Sequence, residues 1–167
     1  MKTTQRSDNF LAVVEKSKGL IYKIANSYCS NPEARKDLVQ EIIVQIWKSF
    51  DNYNNQFSQS TWIYRIALNV AISFYRKEIR RKGISKPLPE SILNFEDPNT
   101  APETETNLVA LQQFISELKE LDKALMLLYL DEKSYKEISE IIGITETNVA
   151  TKIGRIKILL KQKFSKI

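Results

Sequence analysis

The sequence contains no histidine and a single cysteine, Cys29, in 167 residues. Without histidine it lacks the commonest general base and metal ligand near neutral pH. One thiol cannot close an intramolecular disulfide or supply a cysteine-rich zinc site; it fits a reducing cytoplasm and is expected to serve as a small helix-packing residue. No glycine-rich phosphate loop occurs. No apolar run approaches the roughly 20 residues that span a bilayer, and the opening MKTTQRSDNF has no apolar stretch of the kind a secretory signal carries. A cytoplasmic protein without membrane insertion is expected. Carboxylates are plentiful, but most stand beside lysines on amphipathic patterns. No catalytic constellation, cofactor or metal site is therefore expected, and no enzyme.

Glycine and proline are also scarce, at 4 and 5 residues, while 43% of the chain is apolar. That balance predicts an all-α protein. Four of the five prolines fall in GISKPLPESILNFEDPNTAPETETN (83–107). Proline removes backbone donors and disfavours helix in the residue before it, so this segment is expected to be a flexible linker. Its apolar Ile92, Leu93 and Phe95 are suited to docking on something. The chain thus divides into a helical domain over 1–82, a linker over 83–107 and a second helical domain over 108–167.

Charge follows the same division. The net charge is +5, with 14 basic and 7 acidic side chains in 1–82, 1 and 5 in 83–107, and 10 and 8 in 108–167. A basic–acidic–basic layout predicts two nucleic-acid-facing units joined by an acidic linker.

In the first domain Leu11, Val14, Leu20, Ile21, Ile24, Ala25 and Tyr28 recur at helical spacing, with Gly19 a candidate break. Asn31-Pro32 punctuates the chain, and Pro32 suits the first position of a new helix. ARKDLVQEIIVQIWKSF then sets Leu38, Ile42, Ile43, Ile46, Trp47 and Phe50 on one stripe. Arg35, Lys36, Asp37, Gln40, Glu41, Gln45 and Lys48 lie opposite. DNYNNQFSQS has no period and is expected to be a loop. The next helix, TWIYRIALNVAISFYRKEIRRK, stacks Trp62, Ile66, Val70 and Phe74 at i+4 steps and ends in Arg76, Lys77, Arg80, Arg81 and Lys82. Those cations either complement the helix dipole or meet nucleic-acid phosphates; five in seven positions is more than the dipole requires.

In the second domain Ser134 and Glu137 form the S-x-x-E capping box of a helix with Ile138, Ile141 and Ile142 inward. Gly143 suits the left-handed position after it, Ile144 plugs the turn, and Thr145 caps a further helix carrying Val149, Ile153, Ile156, Leu160 and Phe164 inward. Two helices about a glycine turn match a helix-turn-helix, whose second helix enters the major groove. Residues 117–140 hold 7 acidic and 4 basic side chains, whereas 144–167 hold 1 and 6. Outward Thr147, Asn148, Thr151, Lys152 and Arg155 can donate to bases or phosphates. A plain helical hairpin with a solvated basic face is the other explanation.

Together these pieces resemble the extracytoplasmic-function (ECF) sigma factors of the sigma-70 family. DLVQEIIVQIWKSFDNY is similar to the family's D-x-x-Q-E-x-F-x-x-x-W stretch. TWIYRIALNVAISFYRK is similar to its W-L-x-x-I-A-x-N-x-x-x-D-x-x-R motif, and SYKEISEIIGITETNVATKIGRI to its region 4 helix-turn-helix. The resemblance covers roughly 10–82 and 108–165. It implies a region 2 helical bundle and a region 4 domain, with core RNA polymerase and promoter DNA as partners, and often an anti-sigma factor. Asp37, Gln40, Glu41 and Gln45 would then dock on the polymerase β′ clamp helices, and region 4 on the β flap. Asn52, Asn54, Asn55 and Gln56 would lie in the loop that captures an extruded −10 base, with Trp62, Arg65, Asn69, Arg76 and Lys77 on the helix that follows. Trp62 can equally be core, and Arg65 and Asn69 fold-forming. Ser134, Tyr135, Thr147, Asn148, Thr151, Lys152 and Arg155 would meet the −35 element, and the acidic linker would thread the active-centre cleft and RNA exit channel. Ala150, Gly154, Asn148 and Ser73 depart from the family pattern, which bears on promoter sequence. The alternatives are a stand-alone helix-turn-helix regulator and a helical adaptor whose basic faces are merely solvated.

Overall fold

A computed structural model describes residues 2–82 and 103–166. Among them are seven α-helices, one 3₁₀ turn and no strand. The helices form two compact units, α1–α3 and α4–α7. Most of the expected linker, with Ile92, Leu93 and Phe95, lies outside the described residues.

The first unit packs α1 (Lys2–Tyr28), α2 (Pro32–Ser49) and α3 (Gln59–Lys82) around Ile21, Ile24, Leu38, Ile42, Ile46 and Ile63. Each such isoleucine contributes roughly 2 kcal/mol by leaving water. α1 runs unbroken through Gly19, and it starts well before the first apolar repeat. Its core face also differs from the expected one: Phe10 and Val13 are buried, while Leu11 is exposed. Cys29 is buried at its end, as a packing residue should be.

Local chemistry sets the turn from α1 to α2. Asn31 Oδ1 accepts from the backbone N–H of Glu33 at 2.9 Å and of Ala34 at 3.1 Å, with Pro32 at the first helical position. Arg35, expected on the outer face, turns back instead. Its guanidinium donates to the carbonyls of Cys29 and Ser30 at 3.1 and 3.0 Å, capping the end of α1.

α3 departs from its expected stripe. Its buried residues are Thr61, Ile63, Tyr64, Ala67, Leu68 and Ala71, whereas Trp62, Ile66, Val70 and Phe74 are only half-buried along one flank. Small Ala67 and Ala71 let neighbouring helices approach closely, and the bulky row is displaced to the edge of the contact.

The second unit contains α4 (Glu103–Ser116), α5 (Glu120–Leu130), α6 (Tyr135–Ile142) and α7 (Glu146–Ser165). Its core joins Leu125 and Leu128 to Ile138, Val149, Ile153 and Ile156. α4 already includes 103–107, which composition assigns to the linker. Phe114 and Phe164 meet edge-on at 5.1 Å, and Lys163 pairs with Glu117, so the end of α7 is tied to α4. Lys123 is buried in α5; desolvation lowers its pKa, partly opposed by the charge of Glu120.

Candidate nucleic-acid and polymerase interfaces

Three outward surfaces carry the candidate residues, and the helices explain each. On α2 the core takes Leu38, Val39, Ile42 and Ile46. Spacings of three, four and eight then gather Asp37, Gln40, Glu41 and Gln45 on the opposite side. All four are exposed, and the Gln45 amide donates to Ser49 Oγ at 3.4 Å. Val44 lies among them, 46% exposed. Sequence reasoning passed over it, although an apolar residue four after Gln40 and three after Glu41 was the available signal. An apolar centre ringed by polar groups is the anatomy of a docking surface.

The second surface is the corner from α2 to α3. A 3₁₀ turn at Phe50–Asn52 leads into an irregular loop. Asn52, Asn54, Asn55 and Gln56 are all exposed in it. Asn55 has φ +59°, a conformation asparagine tolerates better than most residues. Asn54 Oδ1 accepts the Gln56 N–H at 3.1 Å, so this side chain shapes the turn. Tyr53 Oη donates to the Phe57 carbonyl at 2.8 Å and closes the loop. Ser58 starts α3: its Oγ accepts the Thr61 N–H at 3.2 Å while its hydroxyl donates to Thr61 Oγ1 at 3.0 Å.

Aromatic rings floor this corner. The Trp62 centroid lies 4.9 Å from Tyr53 and 6.5 Å from Phe50. Trp62 is therefore neither a central core residue nor a free one; it is half-buried at the base of the loop. The Arg65 guanidinium lies 5.2 Å from the Phe57 ring centroid, a cation–π contact. Helical spacing sets Arg65, Asn69 and Arg76 along one outer row of α3, with Lys77 beside it. Asn69, Arg76 and Lys77 are exposed and Arg65 is half-buried. The loop amides and the rings thus sit at the start of α3, and the cations follow along one side of it toward its end.

The third surface is the hairpin of α6 and α7. Ser134 Oγ accepts the Glu137 N–H at 3.1 Å, and Glu137 Oε2 accepts the Ser134 N–H at 2.8 Å. The Ser134 backbone N–H, the foremost cause, holds the Glu137 carboxyl below its ordinary pKa by bonding to its ionised form. Gly143 stands at φ +84°, and Thr145 Oγ1 accepts the Asn148 N–H at 3.2 Å. Buried Val149, Ile153, Ile156 and Leu160 turn Thr147, Asn148, Thr151, Lys152 and Arg155 outward. All five are exposed save Lys152, which is half-buried. The Thr151 hydroxyl donates to the Thr147 carbonyl at 3.0 Å. Ser134 is spent as a cap, while Tyr135 beside it is exposed. Lys157 lies 4.2 Å from the Tyr129 ring centroid, and its hydrogen bond with Tyr129 raises its pKa, seating α7 on α5.

No group of histidine, cysteine or carboxylate side chains able to hold a metal occurs among the described residues. No described helix is long and apolar enough to cross a membrane. Fold and surfaces together define an all-α protein with a helix-turn-helix hairpin in its second unit.

Comparison with known proteins is consistent with both units. The Sigma-70 region 2 family matches residues 13–81, and Sigma-70, region 4 matches residues 108–160. The RNA polymerase sigma factor SigZ of Bacillus subtilis is 32% identical over 128 residues, covering 75% of this chain and 70% of SigZ. The ECF RNA polymerase sigma factor SigM of the same organism is 28% identical over 147 residues, covering 87% and 89%. In structure, the sigma factor RpoE of Bartonella quintana, solved with the anti-sigma factor NepR, has a TM-score of 0.66. The match covers 95% of this chain and 96% of that one at 17% identity, a likeness of fold alone. The chain belongs to the sigma-70 family, as an ECF-type sigma factor: a subunit that binds core RNA polymerase and directs promoter recognition.

Proposed function

We propose that three surfaces divide the work of this sigma factor. Residues 1–82 act as the region 2 domain, 83–107 as the linker and 108–167 as the region 4 domain. Asp37, Gln40, Glu41 and Gln45, centred on Val44, dock on the β′ clamp helices of core polymerase. Asn52, Asn54, Asn55 and Gln56 receive an extruded −10 base over Trp62, with Arg65, Asn69, Arg76 and Lys77 along the adjoining strand. Tyr135, Thr147, Asn148, Thr151, Lys152 and Arg155 engage −35 duplex DNA, Ser134 orienting the hairpin as its cap. The β flap is the polymerase partner of this second unit, and the site of action is the cytoplasm, where polymerase and promoter are.

The mechanism is differential binding. Each unit is small and binds DNA weakly by itself. Held on core polymerase at promoter spacing, the second contact becomes intramolecular. Capture of a flipped base then offsets part of the unstacking cost, roughly a few kcal/mol, and nucleates the open bubble. An anti-sigma factor is a further expected partner, since a structural neighbour was solved with one. A stand-alone regulator is not favoured, because the relatives named above are RNA polymerase sigma factors.

The observation that carries the assignment is that the region 2 and region 4 matches fall one on each compact unit. Its test is retention of bacterial core RNA polymerase by the purified chain, beside a Gln40→Ala/Glu41→Ala variant. Retention that weakens in the variant supports docking through α2. No retention, with tight binding to DNA alone, means a self-sufficient regulator.

A further inference from the structure

The start of α1 reaches the corner that carries the −10 candidates. Residues before 13 lie outside the region 2 match, yet the chain is helical from Lys2. Arg6 makes three contacts at that corner. Its Nε donates to Asp51 Oδ1 at 2.8 Å, and its Nη2 donates to the Trp47 carbonyl at 3.2 Å. Its guanidinium carbon lies 3.7 Å from the Trp47 ring centroid.

These contacts act on one joint. The Trp47 carbonyl belongs to the last turn of α2, where it also accepts the Phe50 N–H and where the dipole favours a cation. Asp51 belongs to the 3₁₀ turn that follows. The Trp47 ring meets Phe10 edge-on at 4.9 Å, and Phe10 meets Phe50 at 5.7 Å. Phe50 in turn neighbours Trp62, whose other partner is Tyr53. A continuous set of contacts thus runs from Arg6 to the residue whose hydroxyl closes the loop. An ion pair with Asp51 this exposed is worth little by itself. The stack and the carbonyl bond give the guanidinium its hold.

We propose that Arg6 is a positioning residue for promoter melting. It fixes the joint between α2 and the loop, so that Asn54–Gln56 are held in one geometry above Trp62 before a base arrives. A pre-ordered loop avoids the ordering cost that a mobile one meets on binding. Arg6 acts through the loop and touches no DNA itself. The proposal rests on the base-capture reading of residues 52–56.

The test uses the full chain on bacterial core RNA polymerase, with promoters selected from a duplex library randomised over both elements. Permanganate reactivity of unpaired thymines reports melting, and core affinity is measured in parallel. Arg6→Met keeps the apolar stem and the helical preference. It should slow open-complex formation about tenfold, within the range that displacement of a binding group costs, while core affinity stays within about twofold. Arg6→Lys should recover part of the rate, since lysine can meet Asp51 but lacks the planar fork. In an Asn55→Ala/Gln56→Ala background Arg6→Met should add no further loss, because both changes act on one device.

Normal melting by Arg6→Met, with a defective loop variant, overturns the bracing role alone. A loop variant that melts normally overturns the base-capture reading and the proposal with it. A loss that persists undiminished in the loop background, or tracks core affinity, makes Arg6 a general stabiliser and also overturns it.

Discussion

Tyr53 and Trp62 lie with ring centroids 4.9 Å apart and planes 31° from parallel, one at the start of the loop and one on the first turn of α3. The stack joins the first turn of α3 to the loop proposed to receive a base. The Tyr53 hydroxyl adds the bond to Phe57 that closes the loop. Tyr53→Phe keeps the ring contact and removes only that bond, worth about 1 kcal/mol. Core affinity should change little, and folding stability should fall by no more than the worth of that bond. Open-complex formation should fall about fivefold, the equivalent of that bond. Stopped-flow fluorescence on a promoter with 2-aminopurine in the −10 element would measure it.

Val44 yields a separate prediction on the polymerase side. Its side chain is 46% exposed in the middle of Asp37, Gln40, Glu41 and Gln45, so the fold does not depend on it. Val44→Asp should leave the melting temperature nearly unchanged and weaken core binding by about tenfold or more, as loss of a central interface contact does. Unchanged binding would move the docking surface away from this face of α2.

What the sequence made legible was chemistry within a few residues. The helix start at Pro32, the Ser134–Glu137 box, the Gly143 turn and the Thr145 cap all formed as local bonding requires. The buried side of α7 followed its repeat because one strong apolar stripe met one core. α3 was harder to read. Its largest apolar residues gave the clearest period, yet Ala67 and Ala71 took the close contacts and the large ones moved to the flank. Arg6 and Asp51 are 45 residues apart, and neither carries any local sign of the other. The polar first turns of α1 were invisible for the same reason, since a contact from another helix meets them. The site residues themselves stand on surfaces, where periodicity says only that they face outward.

Gly154 tests the boundary between stability and function. Nothing lies within 4 Å of where its Cβ would stand, so the chain's own packing does not require glycine. In a helix interior the change to alanine should stabilise the second unit by up to about 1 kcal/mol. Thermal unfolding followed through signals of α7 would show the gain. If transcription falls while stability rises, DNA or polymerase approaches this backbone closely; if both hold, the glycine has no contact role.

The capping box sets a pH dependence with a definite sign. The Glu137 carboxyl titrates below its reference value of 4.5 when folded, chiefly because the Ser134 backbone N–H bonds to its ionised form. A depressed carboxylate pKa stabilises the folded state fully above the unfolded value and loses that stabilisation as pH falls through the folded one. At pH 7 Glu137→Ala should therefore cost the second unit roughly 1 kcal/mol, the usual scale of a helix cap. Below the lowered folded pKa the protonated side chain contributes little, so variant and wild type should converge. Urea unfolding read from the methyl signals of Ile138 and Val149 at both pH values would check this. A gap that stayed constant with pH would mean that Glu137 stabilises α6 through packing of its stem, not through the charged cap.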